Sequence, residues 1–333
     1  MSLVTSLMCR LRCCNISSAP IMSTAILRLK YINRKDANMS LHQQTVHLPD
    51  PTKNASYNLS KSTVSNGAND TNRRIYVVRH AERVDFVFGE WIPPCFDESG
   101  QYVRKDSNMP KHLPVRINSP SAWLLDSPIT NIGRCQARLT GDAMKEAGAV
   151  ISYAYCSPSY RCVQTCHGIL EGLGMTHVKI RIEFALFEWM LFYRDNKPEW
   201  CTKDELYADN FNIDMEYEPM MSKKELLDLT NENCEEFYRR NHSVVEQFLK
   251  SHASGNALMV GHSCTPETCT RLLVGKEPRT KGELFSVLQK VPYCGMVAAE
   301  YSPATNEWQL RDSSGFSVTH KQNDRLEWSA IDN

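Results

Sequence analysis

The apolar run Ile75-Tyr76-Val77-Val78 stops abruptly at Arg79-His80-Ala81-Glu82-Arg83. Consecutive β-branched and aromatic residues with no polar alternate predict a strand buried on both faces, as in a parallel sheet held between layers of helix. Asn256-Ala257-Leu258-Met259-Val260 repeats the pattern and runs into Gly261-His262. Between them, strand and helix periods alternate. Thr130 caps a helix that runs to about Ala147, with Gly148 as its stop. Tyr153 to Cys156 reads as a short strand, Ser159 to Leu173 as a helix, and Val178 to Phe184 as a strand leading to Glu188. Glu232 to His252 carries a helical period, with Phe237, Val244, Val245, Phe248 and Leu249 toward the core. Pro266 to Val274 reads as a helix, and Cys294 to Tyr301 with Trp308 to Arg311 as a terminal hairpin. This alternation predicts a three-layer α/β/α sandwich around a mostly parallel sheet.

Open α/β sheets bind ligands at the carboxyl ends of their strands, so Arg79, His80 and His262 belong to a site. A lone histidine is more often a hydrogen-bonded core or surface residue, but here four stretches agree and stand in order. They are Arg79 to Arg83, Ser157-Pro158-Ser159-Tyr160-Arg161-Cys162-Val163-Gln164-Thr165, Phe187-Glu188-Trp189, and Val260-Gly261-His262-Ser263. This combination resembles the histidine phosphatase superfamily, the phosphoglycerate mutase-like fold, from about Arg73 to the C-terminus. Within it the motifs look most like the TULA/Sts phosphatases and the insect ecdysteroid-phosphate phosphatases. Ala81 departs from the glycine usual at that position, and Ser263-Cys264-Thr265 is only loosely typical.

The resemblance implies hydrolysis of phosphate monoesters through a phosphohistidine intermediate, without metal or cofactor. His80 would be the nucleophile, since neutral imidazole keeps a free lone pair when its other nitrogen donates to a fixed partner. Arg79, Arg83 and Arg161 would cage the phosphate, because a guanidinium fork matches two oxygens and stays charged. His262, as imidazolium, would be a fourth donor with a catalytic role. Removing Arg161 is expected to lower the rate about 10²–10³-fold. Glu188, between Phe187 and Trp189, is expected to have a raised pKa and to act as the acid and then the base. Glu82 is the rival, though strand alternation points it away from His80. The substrate is expected to be a phosphotyrosine protein or a small aromatic or steroid phosphate, and the resemblance implies a homodimer. Trp91, Phe96, Trp123, Trp189 and Tyr193 are candidate pocket residues or core.

Other chemistries fit less well. The one Cys-x5-Arg match, Cys234 to Arg240, contains Glu235 and Glu236 and reads as helix, which does not suit a phosphate loop. A phosphoglycerate mutase uses the same phosphohistidine, but Glu82-Arg83-Val84-Asp85 differs from the mutase pattern. A phosphate-recognising scaffold without turnover is the non-enzymatic alternative, disfavoured because the reactive groups are all retained.

Composition adds boundaries. The 333 residues carry 38 basic and 38 acidic side chains, so no global field favours nucleic acid or an anionic membrane surface. No apolar run reaches the ~20 residues that span a bilayer. Thirteen cysteines lack metal-ligand spacing and are expected to be reduced. Residues 1 to 35 hold six basic residues and no acidic one. Residues 1–71 are therefore expected to be an extension and linker, disordered or targeting, before a phosphatase domain at 72–333. A cytoplasmic location is expected, with mitochondrial import as the alternative. Residues 92–128, proline-containing and long for a connection, are expected to form an insert near the site.

Overall fold

The computed structural model describes residues 73–311. The expected extension and linker, 1–71, lie outside the described residues. In chain order the elements are β1 (Arg74–Arg79), α1 (Val84–Phe88), α2 (Ile92–Cys95), α3 (Asn131–Glu146), β2 (Tyr153–Cys156), α4 (Tyr160–Leu173) and β3 (Ile180–Ile182). There follow α5 (Lys203–Ala208), α6 (Lys223–Asp228), α7 (Cys234–Ser251), β4 (Ala257–Gly261), α8 (Thr265–Thr270), α9 (Lys281–Leu288), β5 (Met296–Ser302) and β6 (Glu307–Arg311).

The sheet order is β3-β2-β4-β1-β5-β6. The first four strands are parallel, and β5 and β6 add an antiparallel edge. Both faces are covered, which is why the strands read as continuous apolar runs. On one face Tyr76, Val78, Cys156, Leu258 and Val260 pack against Ala137 and Met144 of α3 and Val163 and Ile169 of α4. On the other, the alternate residues Ile75, Val77, Tyr155, Ala257 and Met259 pack against Val244, Val245 and Phe248 of α7. The three-layer expectation holds.

Helices α3 and α4 pack closely enough that a Cβ at Gly141 would lie 2.1 Å from the Ile169 carbonyl, and one at Gly172 2.1 Å from that of Arg138. The Thr130 side chain caps α3 by accepting from Gly133 N, as predicted. The expected strand at Val178 to Phe184 is shortened to β3, because Phe184–Leu186 turns into a 3-10 helix. The expected helix at Pro266 to Val274 is regular only over α8. No described helix is long and apolar enough to cross a membrane. The ten cysteines among the described residues are all unpaired.

Candidate active site

β1 and β4 are parallel neighbours with Arg79 opposite Gly261, so the residues that leave their carboxyl ends are adjacent. His80 and His262 therefore meet with ring centroids 5.7 Å apart and nearly perpendicular planes. His80 N donates to the Gly261 carbonyl at 2.8 Å. His80 Nδ1 lies 2.8 Å from the Ala81 carbonyl. A carbonyl can only accept, so Nδ1 carries the proton and the Nε2 lone pair is free. Burial, then the charges of Arg161 and Arg79, push this imidazole well below 6.5. Ala81 N donates to Thr165 Oγ1, whose hydroxyl donates to the Arg161 carbonyl, and the Ala81 methyl is buried in the core. The fold thus accommodates alanine where glycine is usual.

Arg161, second residue of α4, is fully buried. Its Nη2 lies 3.1 Å from His262 Nδ1 and 3.3 Å from Glu188 Oε2. Its Nε and Nη1 have no hydrogen-bond partner among the described residues, and neither has Arg79 Nε. Arg79 also donates to the Val291 carbonyl and stacks on Tyr293 at 4.5 Å. Arg83 is gripped by Asp85 through two 2.6 Å hydrogen bonds and lies 4.7 Å over Phe86. Ser127 and Pro128, at the end of the 92–128 segment, accept from the backbone N–H groups of Asp85 and Val84. That end of the segment therefore touches the arginine side of the site.

Two expectations about charge are corrected. Burial pushes Glu188 up, but His262, Arg161, Arg83 and the Tyr193 hydroxyl, which donates to Oε2 at 2.7 Å, together hold it down at about 2. Glu188 is therefore ionised, contrary to the raised pKa expected from its apolar sequence neighbours. Burial, with Arg161, Arg83 and Arg79, likewise pushes His262 well below 6.5 against the pull of Glu188. His262 is thus neutral here, contrary to the expected imidazolium. Since a guanidinium only donates, Nδ1 accepts from Arg161 and Nε2–H donates to Ser157 Oγ at 2.8 Å. Its backbone N–H donates to Thr265 Oγ1, and a Cβ at Gly261 would lie 2.3 Å from that oxygen.

All six anticipated residues, Arg79, His80, Arg83, Arg161, Glu188 and His262, converge. Glu82 does not join them: its Oε1 accepts from Thr130 Oγ1 at 2.8 Å and from Asn108 Nδ2 at 3.2 Å, away from His80. Of the five aromatic candidates, Trp91, Trp123 and Trp189 are core and Phe96 packs on Trp91 and Tyr102. Tyr193 alone among them touches a site group. Asp85, Phe86 and Tyr293 were not anticipated. Asp85 had a signal in the Arg-x-Asp spacing, whereas Tyr293 reaches the site only through the tertiary fold.

Residues 121–312 match the model of the histidine phosphatase superfamily (branch 1). An ecdysteroid-phosphate phosphatase of Drosophila melanogaster is 49% identical over 261 residues, covering 78% of this chain and 34% of that protein. Ubiquitin-associated and SH3 domain-containing protein B of Homo sapiens is 37% identical over 261 residues, covering 77% and 40%. The chain thus spans about a third to under a half of the curated relatives it matches. The crystal structure of a Bombyx mori ecdysone phosphate phosphatase in complex with tungstate is similar, with 31% identity and a TM-score of 0.66 over 78% of this chain and 99% of that one.

Proposed function

The chain belongs to the histidine phosphatase superfamily, and from that premise we propose that it hydrolyses phosphate monoesters through a phosphohistidine at His80. One observation carries this reading: the free Nε2 of His80 shares a buried site with Arg161, whose Nε and Nη1 are without partners. Buried charged donors are stable when an anion meets them. A tetrahedral oxyanion such as phosphate fits, and a similar structure holds tungstate.

In the first step His80 Nε2 attacks phosphorus as the bond to the ester oxygen breaks, with Arg79, Arg83 and Arg161 stabilising the equatorial oxygens. The departing oxygen takes a proton from Glu188. A phosphate dianion offsets the cations that hold Glu188 at about 2, so the carboxyl's pKa climbs as substrate binds. In the second step Glu188 accepts a proton from water, water oxygen attacks phosphorus, and the P–N bond breaks to restore His80. His262 orders Arg161 and takes up charge in the same field. An imidazole nucleophile needs no metal-activated water.

The substrate alcohol is read as a ring system, on phosphotyrosine or a small steroid-like ester. Phe86 beside Arg83 is 45% exposed and Val87 42%, which offers apolar surface at the rim of the phosphate cage. Residues 72–333 would form the catalytic unit, with residues 92–128 walling its arginine side. A cytoplasmic location, checked by fractionation, and a homodimer, checked by light scattering, complete the proposal.

The test is hydrolysis of para-nitrophenyl phosphate with chelator present, comparing the native chain with His80→Ala. Turnover that resists chelator, releases phosphate and para-nitrophenol in equal amounts, and disappears in His80→Ala is expected. Persistent activity in His80→Ala would overturn the nucleophile assignment, and absence of turnover in the folded native chain would overturn the hydrolase reading.

A further inference from the structure

Glu188 sits between two 3-10 turns, Phe184–Leu186 and Met190–Tyr193, in a segment without a regular ladder of its own. What holds that segment is a buried ion pair outside the phosphate cage. Arg240, in the middle of α7, donates Nη1 to the carbonyls of Ala185 at 2.8 Å and Phe187 at 2.9 Å, and Nη2 to that of Glu188 itself at 3.2 Å. Its Nε and Nη2 bind the two carboxylate oxygens of Glu232 at 2.6 and 2.9 Å. Both side chains are almost fully buried, at 3% and 1% exposure. Glu232 grips the far side of the same segment: its carbonyl accepts from Trp189 Nε1 at 2.9 Å, and its carboxylate from Met190 N.

We propose that Arg240, locked by Glu232, is a positioning residue that fixes the backbone of residues 185–190 and so sets the reach of the Glu188 carboxyl toward the departing oxygen. The inference rests on the assignment of Glu188 as proton donor made above. A guanidinium suits this role because its planar donors can serve three carbonyls and a carboxylate at once, which lysine cannot. Arg240 stands on the longest described helix, and Glu232 directly precedes its N-cap, Asn233, which forms a capping box with Glu236. Neither Arg240 nor Glu232 bonds a phosphate donor, and Glu188 is shared with Arg161 only through Nη2 at 3.3 Å, so loss of the clamp is expected to act on proton transfer far more than on phosphate affinity.

The test uses the full chain with Arg240→Lys and Glu232→Gln, each also combined with Glu188→Gln. The readouts are kcat/KM for phenyl phosphate and para-nitrophenyl phosphate, competitive inhibition by inorganic phosphate, and thermal unfolding. Para-nitrophenol is the more acidic alcohol and leaves with little protonation, whereas phenol needs it. Arg240→Lys is expected to lower kcat/KM for phenyl phosphate by about 10- to 100-fold and for para-nitrophenyl phosphate by less than about threefold. Phosphate inhibition should change by less than about twofold, and Arg240→Lys should add almost nothing in the Glu188→Gln background.

Equal losses for both esters, or the same loss repeated without Glu188, would overturn the proposal and leave Arg240 a purely structural residue. If Arg240→Lys does not unfold cooperatively, Glu232→Gln, which keeps size and shape, carries the comparison, and unaltered turnover of phenyl phosphate there would also overturn it. An unimpaired Glu188→Gln would refute the acid assignment and the clamp together. An impaired Glu188→Gln beside an unimpaired Arg240→Lys would refute the clamp alone.

Discussion

Arg161→Met removes the guanidinium while keeping a long side chain in a fully buried position. Two of its groups, Nε and Nη1, are available to phosphate oxygens, and Nη2 is shared between Glu188 and His262. Hydrogen bonds to charged groups contribute about 1.5–3 kcal/mol each, so two of them total roughly 3–6 kcal/mol. The fraction gained only in the transition state governs the rate, and single preorganised donors are worth about 10²–10³ in turnover. The expected loss in kcat/KM is about 10²–10³-fold, or about 3–4 kcal/mol. Arg161→Lys keeps the charge and loses the fork, and should fall between this and the native chain. The assay is initial-rate hydrolysis of para-nitrophenyl phosphate, with circular dichroism to confirm folding. A folded Arg161→Met within about threefold of the native rate would refute the assignment of this arginine to the phosphate cage.

Glu188 also couples stability to pH. Its folded pKa of about 2 lies below the unfolded value of 4.5, so its contribution is fully present above pH 4.5 and is lost as pH falls toward 2. About 2 kcal/mol should be gone by pH 3, on top of a decline that starts below 6.5 as buried His80 and His262 resist protonation. Urea midpoints from pH 6 to 3 should fall more steeply for the native chain than for Glu188→Gln, and parallel curves would contradict the ion-pair account. At the rim, Phe86→Ser should weaken KM for naphthyl phosphate about fivefold, from roughly 1 kcal/mol of half-exposed ring surface, while inhibition by inorganic phosphate stays constant. An unchanged KM would remove Phe86 from the substrate surface.

The strands at the centre of this fold were readable because burial on both faces turns them into unbroken apolar runs, as at Ile75 to Val78 and Ala257 to Val260. The helices α3, α4 and α7 were readable from period and caps. The short helices α5, α6 and α9 were missed, since six to eight residues carry too little periodicity. Each nevertheless begins with a capping box, Thr202 to Glu205, Ser222 to Glu225 and Thr280 to Glu283, a signal present in the sequence. Convergence of the six site residues followed from their place at strand ends and from the family resemblance. The charge state of Glu188 did not, because Phe187 and Trp189 suggest an apolar setting while the polar and charged groups that decide it arrive from α4, the β1 exit and the β4 exit. The Arg240 clamp was hidden for the same reason: Cys234 to Arg240 could be set aside as a phosphate loop, but only the fold shows what Arg240 holds.

The most direct test of the central claim is to trap the phosphoryl group. Native chain mixed rapidly with para-nitrophenyl phosphate and quenched in base should yield one acid-labile phosphate, located by peptide mass spectrometry on His80 and missing from His80→Ala. Phosphate found on another residue, or steady turnover with no phosphoenzyme in a folded native chain, would contradict the account.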